Sequence, residues 1–203
     1  MTVRRTEGFV YLAAFIACIP IANWMIGNIG TTCAPNGPCL IPVAPGLMAP
    51  SGVIMVGLTL VLRDLVQRRL GRSWALGAIA VGAILSGAVA PPALVVASAT
   101  AFFVSEFADF LVYTPLQSRR FVTAVVASSM VGLVVDSVIF LWLAFNSLEF
   151  LWGQVIGKAW MVLISLPFVH WVRVRDSRMS QSSQPSAPAA STGQAGTVMA
   201  SRN

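Results

Sequence analysis

The chain has 203 residues, of which 57% are hydrophobic and only 10% are charged. Its mean hydropathy is +0.80. A soluble domain carries about 25% charged residues and could not keep this much apolar surface away from water. The composition therefore excludes a soluble globular protein and predicts an all-α polytopic membrane protein. The net charge of +6 is divided among short clusters, so no continuous basic face indicates a nucleic-acid partner.

Six apolar segments predict a bundle of six transmembrane helices over residues 9–172. Their ranges are 9–29, 51–66, 74–90, 93–113, 121–146 and 148–172. Residues 1–8 form a short basic N-terminus. Residues 173–203 are predicted to be a disordered tail, because Ser, Gln, Pro, Ala and Gly dominate from residue 177 and offer too little apolar surface to fold.

The distribution of arginine and lysine predicts the orientation of these spans. Basic residues occur at the N-terminus, in 63–72, at 119–120 and in 173–178, whereas the intervening loops contain none. Cytoplasmic loops are enriched in Lys and Arg. Both termini are therefore predicted to be cytoplasmic, and the loop at 30–50 is predicted to lie on the opposite side.

That outer loop contains two of the three cysteines, Cys33 and Cys39, in the sequence CAPNGPC. The only histidine is His170, so a zinc site is not expected. In an oxidising compartment the two thiols could form a disulfide. A pair of free thiols explains the pattern equally well, and neither a metal nor a cofactor is predicted.

The fourth span carries two carboxylates, Glu106 and Asp109, three residues apart on one helix face. Placing such a group in hydrocarbon costs about 2.5 to 3.5 kcal/mol, so both should face protein, water or a ligand. Asp64 of the second span lies at a similar depth, roughly 20 Å from the outer surface. A substrate site is one interpretation. Pairing with Arg63 or with water at the inner end is the other, although Arg63 itself is expected to extend to the membrane interface.

A second layer of charge lies near the membrane midplane. Asp136 of span five and Lys158 of span six both lie roughly 15 Å from the outer surface, which predicts an ion pair between the two helices. The pair could line a substrate site or only hold the helices together. Gln154 is one turn from Lys158 on the same face, and Asn23 is a buried amide in span one. Both could bind a ligand or another helix.

Carboxylates, one lysine, amides and aromatic rings in a bundle interior suit a planar, hydrogen-bonding ligand that is neutral or cationic. A guanine-like edge offers two N–H donors to one carboxylate, and its ring offers faces for stacking. The same carboxylates could instead relay protons. Residue chemistry by itself leaves both roles open.

Four motifs together resemble the queuosine precursor transporter family, also called the vitamin uptake transporter (VUT) family. They are DLVQRRLG, SEFADFLVYTPLQSRR, VDSVIFLWLAF and GKAWMVLISLPF, within residues 9–172. The resemblance implies a multi-pass protein of the bacterial inner (plasma) membrane that imports a 7-deazapurine such as preQ0 or preQ1 for queuosine synthesis. It places the family's polar positions on Asn23, Asp64, Asp109, Asp136 and Lys158.

The sequence thus favours a transporter whose partners are a small-molecule substrate and the lipid bilayer. Its predicted substrate-binding residues are Asn23, Asp64, Glu106, Asp109, Asp136, Gln154 and Lys158. Two alternatives remain: a substrate-binding subunit of an ATP-driven uptake system, and a scaffold that transports nothing. The chain has no P-loop, so ATP use would need an energising partner. It also lacks HExxH and GxSxG, so an enzyme is not predicted. The sequence also leaves open whether the protein forms a homo-oligomer.

Overall fold

The computed structural model describes residues 2–33, 38–90 and 92–182. Within these ranges the chain forms six α-helices and a small sheet. The helices are α1 (Thr2–Asn28), α2 (Val53–Leu70), α3 (Arg72–Val89), α4 (Val95–Leu116), α5 (Phe121–Phe145) and α6 (Leu151–Ser182). A short 3-10 helix, Pro92–Leu94, precedes α4.

Five of the described helices are long and apolar enough to cross a membrane, namely α1, α3, α4, α5 and α6. These match five of the six predicted spans. The exception is α2, whose 18 residues include Arg63, Asp64, Arg68 and Arg69. The structure therefore supports a polytopic helical membrane protein. Helix α2 differs from the other five because its charged residues make it too polar to count as a candidate span.

Helix α2 lies at the centre of the bundle and contacts each of the other five described helices. Its buried residues run without interruption from Thr59 to Gln67. A helix surrounded on all sides by protein exposes little of its surface to lipid, so it can carry charges that a lipid-facing helix could not. The central position of α2 explains its polar composition.

Residues 30–50, predicted as a loop, instead contain a three-stranded antiparallel sheet. Its strands are β1 (Thr32–Cys33), β2 (Cys39–Ala44) and β3 (Leu47–Pro50), in the order β1-β2-β3. A disulfide joins Cys33 to Cys39, which face each other across β1 and β2. Strand β2 contains Pro42, which has no N–H to donate, but the described pairing with β1 ends at Leu40 and does not reach it.

The sheet is fastened to the helices by side-chain hydrogen bonds. Ser51, just after β3, donates its hydroxyl to the carbonyl oxygen of Met25 at 2.7 Å. The indole N–H of Trp160 donates to the carbonyl oxygen of Val43 at 3.0 Å. The sheet therefore covers the bundle at the end where α2 begins.

Both terminal helices are longer than predicted. Helix α1 begins at Thr2, and α6 continues to Ser182, so residues 173–182 are helical and not part of a disordered tail. The extension of α6 is held by Asp176, whose carboxylate pairs with Arg68 at 2.7 Å and Arg69 at 2.9 Å. The remainder of the predicted tail, residues 183–203, lies outside the described residues.

The basic segments that predicted the topology meet at one end of the bundle. Arg4, Arg68, Arg119 and Arg173, one from each segment, line a common concavity. The sheet and its disulfide lie near the start of α2, whereas Arg68 lies in its last turn. The arginine-rich end and the sheet end are thus opposite ends of the molecule.

The small residues of α3 allow a neighbouring helix to approach closely. Ala78, Gly82 and Ser86 are all buried. A β-carbon placed on Gly82 would lie 2.7 Å from the ring of Phe102 on α4. The α3–α4 contact brings Phe102 toward the interior of the bundle, where the candidate site is found.

Candidate functional site

A cavity of about 70 Å³ lies inside the bundle near the sheet end. Residues from all six helices line it, together with Pro50 at the end of β3. Its polar lining consists of Asn23, Ser86, Ser98, Asp136, Gln154 and Lys158, and its aromatic lining of Phe102 and Phe140. The cavity thus combines hydrogen-bonding groups with flat apolar walls.

Lys158 is the centre of the polar lining. Its ammonium nitrogen lies 2.5 Å from Asp136 Oδ2, 2.8 Å from Ser137 Oγ and 2.7 Å from Gln154 Oε1. An ammonium group has three donors, so all three are in use. The predicted ion pair between α5 and α6 is confirmed, and the side chain of Lys158 is only 1% exposed. The Ser137 hydroxyl oxygen and the Gln154 amide oxygen accept the two remaining ammonium N–H bonds. These hydrogen bonds help to offset the desolvation cost of burying the ion pair.

A glycine on the central helix allows α6 to place Lys158 at this position. A β-carbon on Gly57 of α2 would lie 2.6 Å from the carbonyl oxygen of Lys158. Small residues at helix interfaces let backbones approach closely in membrane proteins. The α2–α6 contact therefore fixes how far the Lys158 side chain reaches across the bundle.

Some hydrogen-bonding capacity in the cavity is not used within the protein. The amide nitrogen of Asn23 donates to the carbonyl oxygen of Ile19 at 3.0 Å, but its side-chain oxygen accepts no bond from the described residues. Gln154 accepts from Lys158, and its amide N–H groups make no bond to the described part of the chain. The lining therefore offers a ligand both an acceptor and a donor.

The three other predicted site residues lie in a separate buried cluster around Arg63. The guanidinium lies 2.9 Å from Asp64, 3.4 Å from Glu106 and 2.6 Å from Asp109. The side chain of Arg63 is 0% exposed, so the prediction that it extends to the membrane interface is wrong. Three carboxylates around one guanidinium give a strong reason for Arg63 to stay inside the bundle.

This cluster, which we call the Arg63 cluster, comprises Arg63, Asp64, Glu106 and Asp109. Ser128 of α5 donates its hydroxyl to Asp64 at 2.9 Å. None of the cluster's residues lines the cavity. Among the described residues, no group of three or more His, Cys, Asp or Glu side chains could hold a metal ion. Within the described structure, the guanidinium is thus the cation shared by these carboxylates, one positive charge against three acidic groups.

One contact connects the cluster to the cavity. The Ser105 hydroxyl of α4 lies 3.1 Å from the carbonyl oxygen of Phe102 and 3.4 Å from Asp136 Oδ1, and the next residue, Glu106, contacts Arg63. Ser105 and Ser137 were not among the predicted site residues, because serine is common in transmembrane helices. The sequence did contain one indication of their role, because each serine is adjacent to a predicted site residue, Ser105 to Glu106 and Ser137 to Asp136. Phe102 and Phe140 were also missed, since nothing in their local pattern separates a cavity wall from a lipid-facing ring.

Residues 88–172 match the model of a protein family described as "Putative vitamin uptake transporter". The match confirms the family resemblance. The segment matching the vitamin uptake transporter family contains the whole of α4 and α5 and most of α6. It includes Glu106, Asp109, Asp136, Gln154 and Lys158, whereas Asn23 and Asp64 precede it. No curated protein and no solved structure matches the chain.

The family match and the helices support the same coarse functional class, a multi-pass membrane transporter. The matched segment supplies the Asp136–Lys158 pair and most of the polar lining. The remaining walls come from α1, α2 and α3, which lie largely before it. The cavity is therefore built by the whole bundle around a centre that the family segment provides.

Proposed function

We propose that this protein imports a queuosine precursor, a 7-deazapurine such as preQ0 or preQ1, across a bacterial inner membrane. The observation that carries the proposal is the cavity around Asp136 and Lys158, in the segment that matches the vitamin uptake transporter family. The charged pair is enclosed among helices long enough to cross a membrane. Intramembrane ionisable groups typically lie on substrate or ion pathways.

The groups in the cavity complement the edges of such a base. Asp136 can accept two N–H bonds from a guanine-like edge once its contact with Lys158 loosens. Gln154 has free amide donors for ring or carbonyl acceptors, and the Asn23 oxygen can accept a further N–H. The rings of Phe102 and Phe140 offer faces for stacking. A flat heterocycle that is neutral or cationic uses all of these features, whereas an aliphatic ligand uses few.

Binding requires the bundle to open. The cavity of about 70 Å³ is smaller than the roughly 300–1,000 Å³ of most ligand pockets. Transport itself requires the site to be accessible first from one side and then from the other. We therefore assign the structure to a closed state, in which the Lys158 donors are occupied by protein groups and are exchanged for ligand contacts upon opening.

The opposite ends of the molecule support an orientation with both termini in the cytoplasm. Arginines gather at one end, as cytoplasmic loops require. The Cys33–Cys39 disulfide lies at the other end, where an oxidising periplasm would preserve it. In this orientation the sheet faces the periplasm and covers the entrance to the substrate cavity.

Uptake of labelled preQ0 and preQ1 tests the proposal directly. We expect accumulation in cells that lack their own precursor synthesis and express this chain, with the recovered base chemically unchanged. Labelled biotin and adenine serve as unrelated compounds. Equal accumulation of all four compounds, or none of the 7-deazapurines, would contradict the substrate assignment. Uptake only after an ATPase is added would support an ATP-driven subunit instead.

A matched pair of variants tests the site. Asp136→Asn removes the carboxylate in the cavity, and we expect uptake to fall by about tenfold or more, equivalent to at least ~1.4 kcal/mol. Glu149→Gln makes the same charge change at an exposed position and should leave uptake unchanged. Membrane levels of both variants are compared by immunoblot. Normal uptake by the Asp136 variant would remove this cavity from the transport pathway.

A further inference from the structure

A second and larger cavity lies at the arginine-rich end of the bundle, outside the substrate site. Its volume is about 550 Å³, within the range of ligand pockets. Five arginines and one carboxylate dominate its lining: Arg4, Arg68, Arg69, Arg119, Arg173 and Asp176. They come from α1, the end of α2, the α4–α5 connection and α6. Distant parts of the chain thus bring guanidinium groups to one place.

The charges that line this basic cavity are only partly balanced by the protein around it. Asp176 accepts bonds from Arg68 and Arg69, at 2.7 Å and 2.9 Å. Arg4, Arg119 and Arg173 form no ion pair with any described residue, and all three are exposed. Five guanidinium groups against one lining carboxylate leave a formal excess of four positive charges.

Two neighbouring groups fix the paired arginines in place. Glu7 of α1 lies outside the cavity and binds Arg69, with its Oε2 3.1 Å from Arg69 Nε. The guanidinium of Arg68 lies 3.9 Å from the centre of the Phe121 ring, in a cation–π contact. Because these contacts hold Arg68 and Arg69, one wall of the cavity is preorganised.

The preference of arginine for cytoplasmic loops does not by itself explain this arrangement. That preference places arginines on one side of the membrane, where like charges gain by separating into water. Here Arg4, Arg119 and Arg173 converge on one concavity from three separate segments. An anion within it would bring their charges into balance.

We propose that the basic cavity binds the phosphate group of an anionic ligand. Guanidinium forks match phosphate oxygens in a bidentate manner. The ligand is either the headgroup of an anionic phospholipid or a water-soluble phosphate compound, since both present the same group. Basic pockets between helices at the cytoplasmic surface are known to hold lipid headgroups. This proposal is independent of which substrate the bundle transports.

Binding to the purified full-length protein in detergent tests the proposal in two arms. The soluble arm titrates sodium pyrophosphate against sodium chloride of equal ionic strength. The lipid arm titrates short-chain phosphatidylglycerol against phosphatidylcholine of the same chain length. Thermal unfolding and isothermal titration calorimetry give the affinity. We expect saturable binding in at least one arm, and the responding arm identifies the source of the phosphate.

Two charge-matched double variants provide the control. Arg119→Gln with Arg173→Gln removes two lining arginines that have no ion-pair partner, and we expect the affinity to fall by about tenfold or more. Arg72→Gln with Arg120→Gln removes two exposed arginines that do not line the cavity and should retain wild-type affinity. Replacing Arg119 and Arg173 by lysine keeps the positive charges but removes the planar guanidinium groups that bind phosphate in a bidentate manner. The lysine double variant should therefore weaken binding less than the glutamine double variant does.

Each outcome decides the question. Saturable binding that only the lining pair weakens supports the proposal, whichever arm responds. No saturable binding in either arm overturns it. Equal losses in both double variants also overturn it, because general surface charge would then explain the effect. Circular dichroism and the unfolding temperature without ligand confirm that the variants compared are folded.

Discussion

Arg63 of α2 and Asp109 of α4 are joined by an ion pair of 2.6 Å, although both side chains are 0% exposed. Asp64 and Glu106 contact the same guanidinium. Removing the arginine would leave three buried carboxylates without their counter-charge. We expect Arg63→Met to destabilise the protein by about 3–5 kcal/mol or to prevent its accumulation in the membrane. Unfolding in a mild detergent, or membrane yield, measures this.

The matched control for that variant is Arg72→Met, which removes an exposed arginine at the start of α3. Its stability should differ from the wild type by less than about 0.5 kcal/mol. If the two methionine variants are equally stable, Arg63 does not hold the cluster together.

The Asp136–Lys158 pair can be separated into a structural and a transport role by a double-mutant cycle. Asp136→Asn and Lys158→Met each leave one charge buried without its partner, so each should lower stability. The double variant leaves neither charge and should recover part of that stability. We expect uptake to stay low in all three, as measured in the 7-deazapurine assay. A double variant that is stable and transports normally would make the pair a helix lock only.

Glu106 and Asp136 should differ in their effects on substrate recognition. Glu106 belongs to the Arg63 cluster and does not line the cavity, whereas Asp136 does. Glu106→Gln keeps a side chain of the same shape and loses the longest of the three contacts with Arg63. We expect it to leave the apparent KM for uptake within about twofold of the wild type, a change of roughly 0.4 kcal/mol. A KM as high as that of the Asp136→Asn variant would show that the cluster contacts the substrate.

The close approach of α2 and α6 predicts that Gly57 tolerates no larger residue. A β-carbon there would lie 2.6 Å from a backbone oxygen, so Gly57→Ala should push Lys158 away from Asp136. Overpacking of this kind costs about 1–3 kcal/mol. Gly77→Ala on α3 is the control, because nothing lies within 4 Å of its added methyl group. The unfolding temperature should fall for the first variant and not for the second.

The disulfide provides a test of orientation. Periplasmic placement of the sheet predicts that Cys33 and Cys39 are oxidised in the protein purified from cells, whereas the buried Cys18 remains a thiol. Mass spectrometry after alkylation, with and without prior reduction, counts the thiols. Labelling all three cysteines without reduction would place the sheet in a reducing compartment and reverse the proposed topology.

The helical layout could be predicted from the sequence because a helix that crosses a membrane needs a long apolar segment, and hydropathy detects such segments. Five of the six predicted spans match described helices that are long and apolar enough to cross a membrane. Depth along each helix was enough to predict the ion pair between Asp136 and Lys158. Both predictions depend on position along a span and not on rotation about its axis.

The division of the polar residues into two sites could not be predicted in that way. Asp64, Glu106 and Asp109 share a layer, but whether they face a cavity or an arginine depends on how each helix is rotated. Arg63 appeared able to reach the interface because its distance from the helix end is short. The structure shows instead that its neighbours enclose it. Tertiary packing determines the rotation of each helix and therefore which side chains enclose Arg63. The periodicity of a single sequence does not reveal that rotation.

The small sheet was missed for a different reason. Its strands are two to six residues long, and prolines at 42 and 50 lie within them. Such segments have neither the length nor the alternation that predicts strands. The bundle stabilises them through Ser51 and Trp160, which act across the fold.

The surrounded position of α2 has a consequence for biogenesis. A helix with Arg63 and Asp64 near its middle would pay about 2.5–3.5 kcal/mol for each charge if it entered lipid by itself. Asp64 lies on α2 itself, but the other two partners of Arg63, Glu106 and Asp109, lie on α4, and Glu106 is made 43 residues after Arg63. We therefore expect α2 to stay beside the translocon, or in contact with α1, until α4 emerges. The central helix of this protein would then gain its full set of ion pairs only after α4 has been made, although it is the second helix to leave the ribosome.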